Sequence, residues 1–295
     1  MKRKGSFYKN YQLFFLFTPG FAVYAGLIIL AIILCFYYSF FNWDGIRQTM
    51  DFIGFSNYIR ALHNKAFLTS LKVTFFYTIF GTVITNILSI ALATALNRKS
   101  PITVFFRSAF FFPQLISLVA VGFIFKALLS HLGIVNAILD NYGLQKINFI
   151  ADPVLAPWTI LFISVWQTTG FATVLYLAGL QAIPNDLHDS ARIDGANSLE
   201  RFWYITFPWL APAFTSVTVF LFTGYMKIFD LIYVLTNGGP AGRTESVATL
   251  IIKVGFNQYR ISYASSIAIY MLIIVAVISM FLTNILRKRE EDLIS

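Results

Sequence analysis

Charged residues and cysteine are both scarce in this sequence. Only 12% of its 295 residues are Asp, Glu, Lys or Arg, whereas 58% are hydrophobic and the mean hydropathy is +0.71. Soluble globular chains carry about 25% charged residues, so a soluble fold could not cover this much apolar surface. The single cysteine, Cys35, excludes an intrachain disulfide, and its place in an apolar run favours a packing role.

Motifs for ATP hydrolysis and metal chemistry are also missing. The sequence has no G-x-x-x-x-G-K-[ST] phosphate loop, so we predict that the chain is not an enzyme and does not hydrolyse ATP itself. His63, His131 and His188 lack metal-ligand spacing, and neither a metal site nor a catalytic residue is predicted. The 22 Lys and Arg exceed the 13 Asp and Glu. Basic cytoplasmic loops explain that excess better than nucleic-acid binding does.

Six apolar runs are long enough to cross a bilayer, which takes about 20 residues. Their backbone must satisfy its own hydrogen bonds in lipid, so they are predicted to be helices. The fold class is therefore an all-α integral membrane protein, with residues 1–295 forming a single transmembrane domain. The predicted spans are Leu13–Phe41, Leu71–Leu96, Ile102–Leu129, Trp158–Leu180, Pro208–Phe229 and Ala264–Leu286.

The distribution of Lys and Arg predicts the orientation. With the N-terminus in the cytoplasm, the inner segments hold 12 Lys or Arg in 57 residues, and the outer loops hold seven in 89. Cytoplasmic loops are enriched in these residues, so both termini are predicted to be cytoplasmic. Loop 182–207 then lies inside.

Loop 182–207 is polar but carries helix signals. Asn185 is a suitable N-cap, and Gly195 is a suitable residue to end the first helix. Asn197 followed by Glu200 resembles a capping box for a second helix. Leu199, Phe202 and Trp203 would share one apolar face of that helix. This face suits either the membrane surface or a groove on a partner protein.

The loop also resembles the EAA motif of permease subunits in binding-protein-dependent ABC importers. Asp189, Ser190 and Ala191 stand at the E-A-A positions. Gly195 follows at the family spacing, Ile205 comes after nine further residues, and Phe207-Pro208 replaces L-P. The segments SARIDGANSLERFWYITFPWLAP, LTNGGPAGRTE and GFNQYRISYASSIAI look like the carbohydrate-uptake branch. The resemblance covers essentially the whole chain.

This resemblance implies a fold like that of type I ABC importer permeases, with loop 182–207 acting as a cytoplasmic coupling helix that docks on an ATPase. The implied ATPase-coupling residues are Asp189, Ser190, Ala191, Asp194, Gly195, Leu199, Phe202 and Trp203. Packing of the last three against the chain's own helices is an equal alternative.

The implied function is import of a sugar or oligosaccharide across the bacterial cytoplasmic membrane. The implied partners are a second homologous permease subunit, two copies of a cytoplasmic ATPase, membrane lipid, and an extracellular or lipid-anchored sugar-binding protein. This chain is expected to hold no cofactor, with ATP and Mg bound by the ATPase. In outer loop 236–245, both a plain connector and a contact with the binding protein are open.

Sugar permeases of this kind bind substrate on the spans that flank the coupling loop. Neutral sugars need hydrogen-bonding groups and aromatic faces within a largely apolar cavity. Seven polar or aromatic residues of the spans fit that need, although such residues also hold helices together in membranes. They are Ser164, Gln167, Thr168, Phe171, Tyr225, Asn86 and Gln114.

Other substrates and another transport class remain as alternatives. One is an importer of a polyol or a glycerol phosphate. Another is a stand-alone secondary carrier or channel, although the span centres hold few of the ionisable groups that proton- or sodium-coupled carriers need. Lys227 and Asp230, at an outer helix end, are expected to form an interfacial ion pair rather than a proton relay.

Overall fold

Helices dominate the structure because apolar backbone in lipid must satisfy its hydrogen bonds within one segment. The computed structural model describes residue 16, residues 18–98 and residues 100–294. The predicted start of the first span lies outside these residues, as do the basic residues Lys2, Arg3, Lys4, Lys9 and Lys99.

Thirteen helices and two short strands follow one another along this described part of the chain. Three helices contain a π-helical turn, at Ala25–Ile29 in α1, Phe202–Thr206 in α9 and Lys253–Asn257 in α12. The elements are α1 (Thr18–Tyr38), β1 (Phe41–Asn42), β2 (Asp51–Phe52), α2 (Ser56–His63), α3 (Lys65–Leu96), α4 (Pro101–Leu115), α5 (Leu118–Leu129), α6 (Ile134–Asn141), α7 (Leu155–Gln181), α8 (Asn185–Ile193), α9 (198–209), α10 (Ala211–Met226), α11 (Asp230–Leu235), α12 (Val247–Asn257) and α13 (Ile261–Ile294).

Six segments of the described chain are long and apolar enough to cross a membrane, which confirms the predicted fold class. All six overlap the predicted spans with shifted ends, and the third is shifted the most. The segments are Thr18–Tyr38, Lys65–Leu96, Leu118–Asn141, Leu155–Gln181, Ala211–Leu235 and Ile261–Glu291.

The prediction of one continuous helix over Ile102–Leu129 is wrong. The run divides into α4 and α5 at Ile116 and Ser117, whose backbone is extended with ψ of 135° and 134°. Pro113, in the last turn of α4, has no N–H to donate and crowds the preceding turn, so the helix weakens there. The third spanning segment starts at Leu118, after this break.

Residues Lys65–Leu250 and Met271–Ser295 form the main compact unit. Its core contains α3, α7 and α10, which buried polar side chains join. Asn86 on α3 donates to Thr218 Oγ1 (3.2 Å) and accepts from the Tyr176 hydroxyl (2.5 Å), while the Ser89 hydroxyl donates to the Thr169 carbonyl (3.1 Å). In lipid such bonds supply attraction between helices that hydrophobic burial does not.

The other compact unit contains Met1–Asn64 and Ile251–Tyr270. Here β1 and β2 pair antiparallel, with Phe41 opposite Phe52. The buried Asn57 amide donates to the carbonyls of Ser39 (3.0 Å) and Phe41 (2.8 Å), which fixes α2 beside the end of α1. This arrangement of the β1–β2 pair with α2, called the β1–β2 cap below, was not predicted from the sequence.

One close helix contact in the main unit depends on a glycine. A Cβ atom added to Gly170 on α7 would collide with the carbonyl oxygen of Phe110 on α4. We expect Gly170→Ala to separate these helices and to destabilise the protein by about 3 kcal/mol. The measurement is the thermal unfolding midpoint in detergent. Gly26→Ala is the control, because a Cβ there meets nothing within 4 Å, and equal midpoints would contradict this packing.

Candidate functional site

A cavity of about 410 Å³ lies beside the break between α4 and α5. Its wall combines the break itself with one face of α7, the end of α10 and the start of α11. Five of the seven residues predicted for the substrate path line it, namely Gln114, Ser164, Gln167, Thr168 and Tyr225. The structure thus brings together residues that are up to 111 positions apart in the sequence.

Gln167 connects the helix break to the cavity. Its side chain is 3% exposed, and its Nε2 donates to the carbonyl of Ile116 at 3.1 Å. This bond satisfies a backbone acceptor that the break leaves without a helical partner. Its Oε1 is buried with no hydrogen-bond partner among the described residues. Gln167 therefore holds the break in place and keeps one unused acceptor beside the cavity.

Tyr225 supplies an aromatic surface whose position is fixed from behind. Its hydroxyl lies 2.8 Å from Thr85 Oγ1. Its ring fills the space above Gly81, where a Cβ atom would meet the ring carbons at 2.6–2.7 Å. An aromatic side chain held in this way loses little conformational entropy on binding a ligand.

Phe171 and Asn86 do not line the cavity. The Phe171 ring packs on Phe220, with centroids 5.0 Å apart, and Phe220 is the residue that reaches the wall. Both ends of the Asn86 amide are occupied by Thr218 and Tyr176. Asn86 therefore joins helices, which was its alternative interpretation.

Lys227 and Asp230 are cavity residues that the sequence analysis did not predict. They line its end near α11. Among the described residues they do not form the expected ion pair, since no N–O distance of 4.0 Å or less joins them. Three positions apart, they lie on either side of the non-helical link between α10 and α11, so helical spacing does not bring them together. The cavity carries one positive and one negative side chain.

The second candidate site is loop 182–207, whose first helix ends as the sequence predicted. Gly195 has φ of +84°, the left-handed conformation that glycine adopts readily. The amide of Ala196 donates to the carbonyl of Ala191 (2.9 Å), and that of Gly195 to the carbonyl of Arg192 (3.1 Å). These two bonds form a Schellman motif. The start differs from the prediction, because Pro184, not Asn185, is the N-cap.

The second helix of the loop begins with the predicted capping box. Asn197 Oδ1 accepts from the amides of Leu199 (2.9 Å) and Glu200 (3.0 Å), and Glu200 Oε2 accepts from the amide of Asn197 (2.7 Å). The helix then continues through Trp209 and is separated from α10 by Leu210 alone. The loop is therefore joined by nearly continuous helix to the spanning helix that carries Tyr225.

Large apolar side chains project from this loop. Leu199 is 67% and Trp203 is 54% exposed. Trp203 also contacts Phe207 (ring centroids 5.4 Å), and the Arg289 guanidinium lies 5.7 Å from the Phe207 centroid. The sequence analysis missed Ile193, which is 86% exposed at the end of α8. Its position immediately before the helix stop was the available signal.

The EAA-like positions lie on α8 and its cap. Asp189, Ser190 and Asp194 are exposed, and Ala191 is half-buried. Asp189 pairs with Arg192 on the same helix at 3.4 Å. Such an exposed pair contributes little stability, so the Asp189 carboxylate can exchange partners at low cost.

Comparison with known protein families identifies the family to which this chain belongs. Residues 85–291 match the family described as binding-protein-dependent transport system inner membrane component. The chain belongs to this family. It is a multi-pass permease of the cytoplasmic membrane, and the matched region contains both candidate sites.

Named relatives of this permease cover nearly its full length. It is 32% identical to the multiple sugar-binding transport system permease protein MsmF of Streptococcus mutans, over 86% of this chain and 88% of that protein. It is 30% identical to the probable starch degradation products transport system permease protein AmyD of Thermoanaerobacterium thermosulfurigenes, over 99% and 100%. A bacterial ABC transporter involved in import of the acidic polysaccharide alginate has the same fold, with a TM-score of 0.84, 21% identity, and coverage of 96% and 98%.

The capping box makes the loop of this permease testable without a transport assay. Asn197→Ala removes the acceptor for two amides at the start of α9, a loss of about 1 kcal/mol. We expect the amides of Leu199 and Glu200 to exchange hydrogen about fivefold faster, as measured by mass spectrometry. Ser198→Ala is the control, since its hydroxyl accepts from the Arg201 side chain (3.2 Å) and is not part of the capping box. Equal exchange in both variants would show that the box does not hold the loop.

Proposed function

We propose that this permease is the transmembrane subunit of an ATP-driven ABC importer that moves a sugar or oligosaccharide into the bacterial cytoplasm. The observation that carries the proposal is the largely apolar cavity without net charge at the α4–α5 break, which is lined both by Gln167, with its unused acceptor, and by the aromatic Tyr225. The names of the relatives MsmF and AmyD support a carbohydrate substrate. An extracellular or lipid-anchored binding protein would deliver it.

The charge of the cavity distinguishes a neutral substrate from a phosphorylated one. Lys227 and Asp230 balance each other, so the lining has no net charge to attract a phosphate group. This favours a sugar, or a chemically similar polyol, over a glycerol phosphate. Membership of a binding-protein-dependent family removes the stand-alone carrier or channel that the sequence left open.

The structure supports a specific route for coupling. In the proposed topology, with both termini cytoplasmic, two partner ATPase subunits bind ATP and Mg and close on α8. Asp189, Ser190 and Asp194 would contact the ATPase together with Ile193, while Ala191 and Gly195 set the turn. Residues 198–226 are helical apart from Leu210, a length of about 43 Å at 1.5 Å per residue. A displaced α8 would therefore move the cavity end of α10.

Two exposed apolar surfaces of the permease would contact partner subunits. A second homologous permease subunit would pack against its exposed apolar helix faces and complete the substrate path. Leu199, Phe202 and Trp203 would pack between the loop and the ATPase. Exposure of Leu199 and Trp203 favours this role over packing within the chain.

A cysteine cross-link tests the docking of α8. In a Cys35→Ala background, we expect Ile193→Cys to form an adduct with the co-expressed ATPase in native membranes. Its yield should change when ATP and Mg are added, because the ATPase pair closes. Leu132→Cys is the control, as it is 89% exposed but lies in an outer loop of the proposed topology. An assembled importer that gave no adduct at residue 193 would contradict docking at α8.

A pair of threonines tests the cavity. Thr168 and Thr173 lie on α7, and each hydroxyl donates to the carbonyl four residues earlier at 2.8 Å. Of the two, Thr168 lines the cavity. We expect Thr168→Val to lower sugar uptake at limiting sugar about threefold to tenfold, the effect of one lost hydrogen bond. Thr173→Val should change it less than about twofold. Uptake is measured in reconstituted vesicles, and equal effects would place the substrate elsewhere.

A further inference from the structure

A separate polar pocket of about 280 Å³ lies entirely within the unit formed by Met1–Asn64 and Ile251–Tyr270. It is bounded by the β1–β2 turn, by α2, and by the start of α13. We name it the arginine pocket, for Arg60 and Arg260 beside Tyr263. In the proposed topology its segments belong to the outer loops, on the side where a binding protein arrives.

The pocket holds two positive charges that the described residues leave without an ion pair. The guanidinium carbon of Arg260 lies 4.8 Å from the Tyr263 ring centroid, and that of Arg60 lies 5.5 Å from it. Neither arginine forms a salt bridge within the described chain. Burial, followed by the nearby charge of Arg60, lowers the pKa of the Arg260 guanidinium. Two cations around one ring repel each other, and an added anion would relieve that repulsion.

The acidic residues of the pocket do not neutralise this pair. The Asp44 carboxylate forms a salt bridge with Arg47 at 3.1 Å. It also accepts hydrogen bonds from the backbone amides of Ile46 and Arg47, each at 2.9 Å. These contacts hold the pKa of the Asp44 carboxyl below its usual value, and the hydrogen bond from the Arg47 amide has the largest effect. Asp51, on β2, is exposed. Among the described residues, Arg60, Arg260 and Asp51 form no ion pair. The unpaired side chains of the pocket therefore carry a net positive charge.

Hydrogen-bonding capacity is also unused there. Arg260 Nη2 and Ser262 Oγ are buried without a partner in the described structure. Ser262, 2% exposed, is in the first turn of α13, where the helix dipole adds positive potential. Leaving such donors unpaired costs free energy that a bound acceptor would recover.

We infer that the arginine pocket receives a carboxylate side chain of the extracellular binding protein. A guanidinium presents paired N–H groups that match the two oxygens of a carboxylate. The family of this permease is dependent on a binding protein, so an acidic residue on that partner has a reason to reach this face. The inference rests on the proposed orientation and function. It adds a docking contact that is separate from the transport cavity.

The test uses the complete importer in lipid vesicles, assembled from this permease, its partner permease and the ATPase. Sugar-loaded binding protein is titrated while ATP hydrolysis is followed. We expect Arg60→Gln and Arg260→Gln each to raise the half-saturating concentration of binding protein about tenfold, because each change removes one partner of a charge pair formed on docking. Lys65→Gln is the matched control, because Lys65 carries the same charge at the outer end of α3 but does not line the pocket.

Folding is checked by the amount of ATPase that co-purifies with each variant. Arg60 is exposed, so Arg60→Gln keeps the test valid if Arg260→Gln assembles poorly. A charge exchange then identifies the contact. A binding-protein Asp or Glu changed to Lys should restore the affinity of Arg60→Glu.

The outcomes separate the inference from the proposed function. If binding protein stimulates the wild type, and both arginine variants titrate like Lys65→Gln, the docking contact is wrong and the importer assignment stands. If binding protein never stimulates the wild type, the proposed function fails first. If the arginine variants change only the concentration of free sugar required, the pocket serves the substrate and the inference is overturned.

Discussion

The hydrogen bond from the Gln167 amide to the Ile116 carbonyl is the interaction on which the candidate transport site depends. A spanning helix in lipid must satisfy every backbone acceptor, so an interruption persists only where another group replaces the lost bond. Pro113 weakens the end of α4, the chain extends at Ile116 and Ser117, and a buried amide on α7 completes the bonding. The break creates concave surface within the bundle, and the same side chain contributes to its wall.

The position of Tyr225 links this cavity to the distant loop. Tyr225 is held by Gly81 and Thr85 on α3, near the end of a helix that continues almost without interruption from the capping box at Asn197. The Schellman motif and the capping box satisfy the backbone at both helix ends of the loop. A displacement applied to α8 is then passed on rather than absorbed by local unfolding. In the proposed coupling route, the two candidate sites would in this way be parts of one mechanical element.

Local sequence signals predicted the loop well and the cavity incompletely. Gly195, Asn197 and Glu200 act within a few residues of themselves, so their roles can be inferred from spacing alone. Gln167 and Asn86 are both buried amides in apolar runs, and only the structure shows that one joins helices while the other borders a cavity. Pro113 carried a usable signal for the broken span, but the long apolar run around it concealed the interruption. The β1–β2 cap depends on contacts between distant segments, which periodicity does not encode.

Unsatisfied polar atoms become informative when they are combined with space for a ligand. The hydroxyls of Tyr77 and Thr82 are also buried without partners, but they do not line either pocket discussed above. Gln167 borders the transport cavity, whereas Arg260 and Ser262 border the arginine pocket. The first pocket is neutral and suits a hydroxyl-rich ligand, and the second is positive and suits a carboxylate. Because the two differ in charge and lie in separate compact units, one ligand chemistry does not explain both.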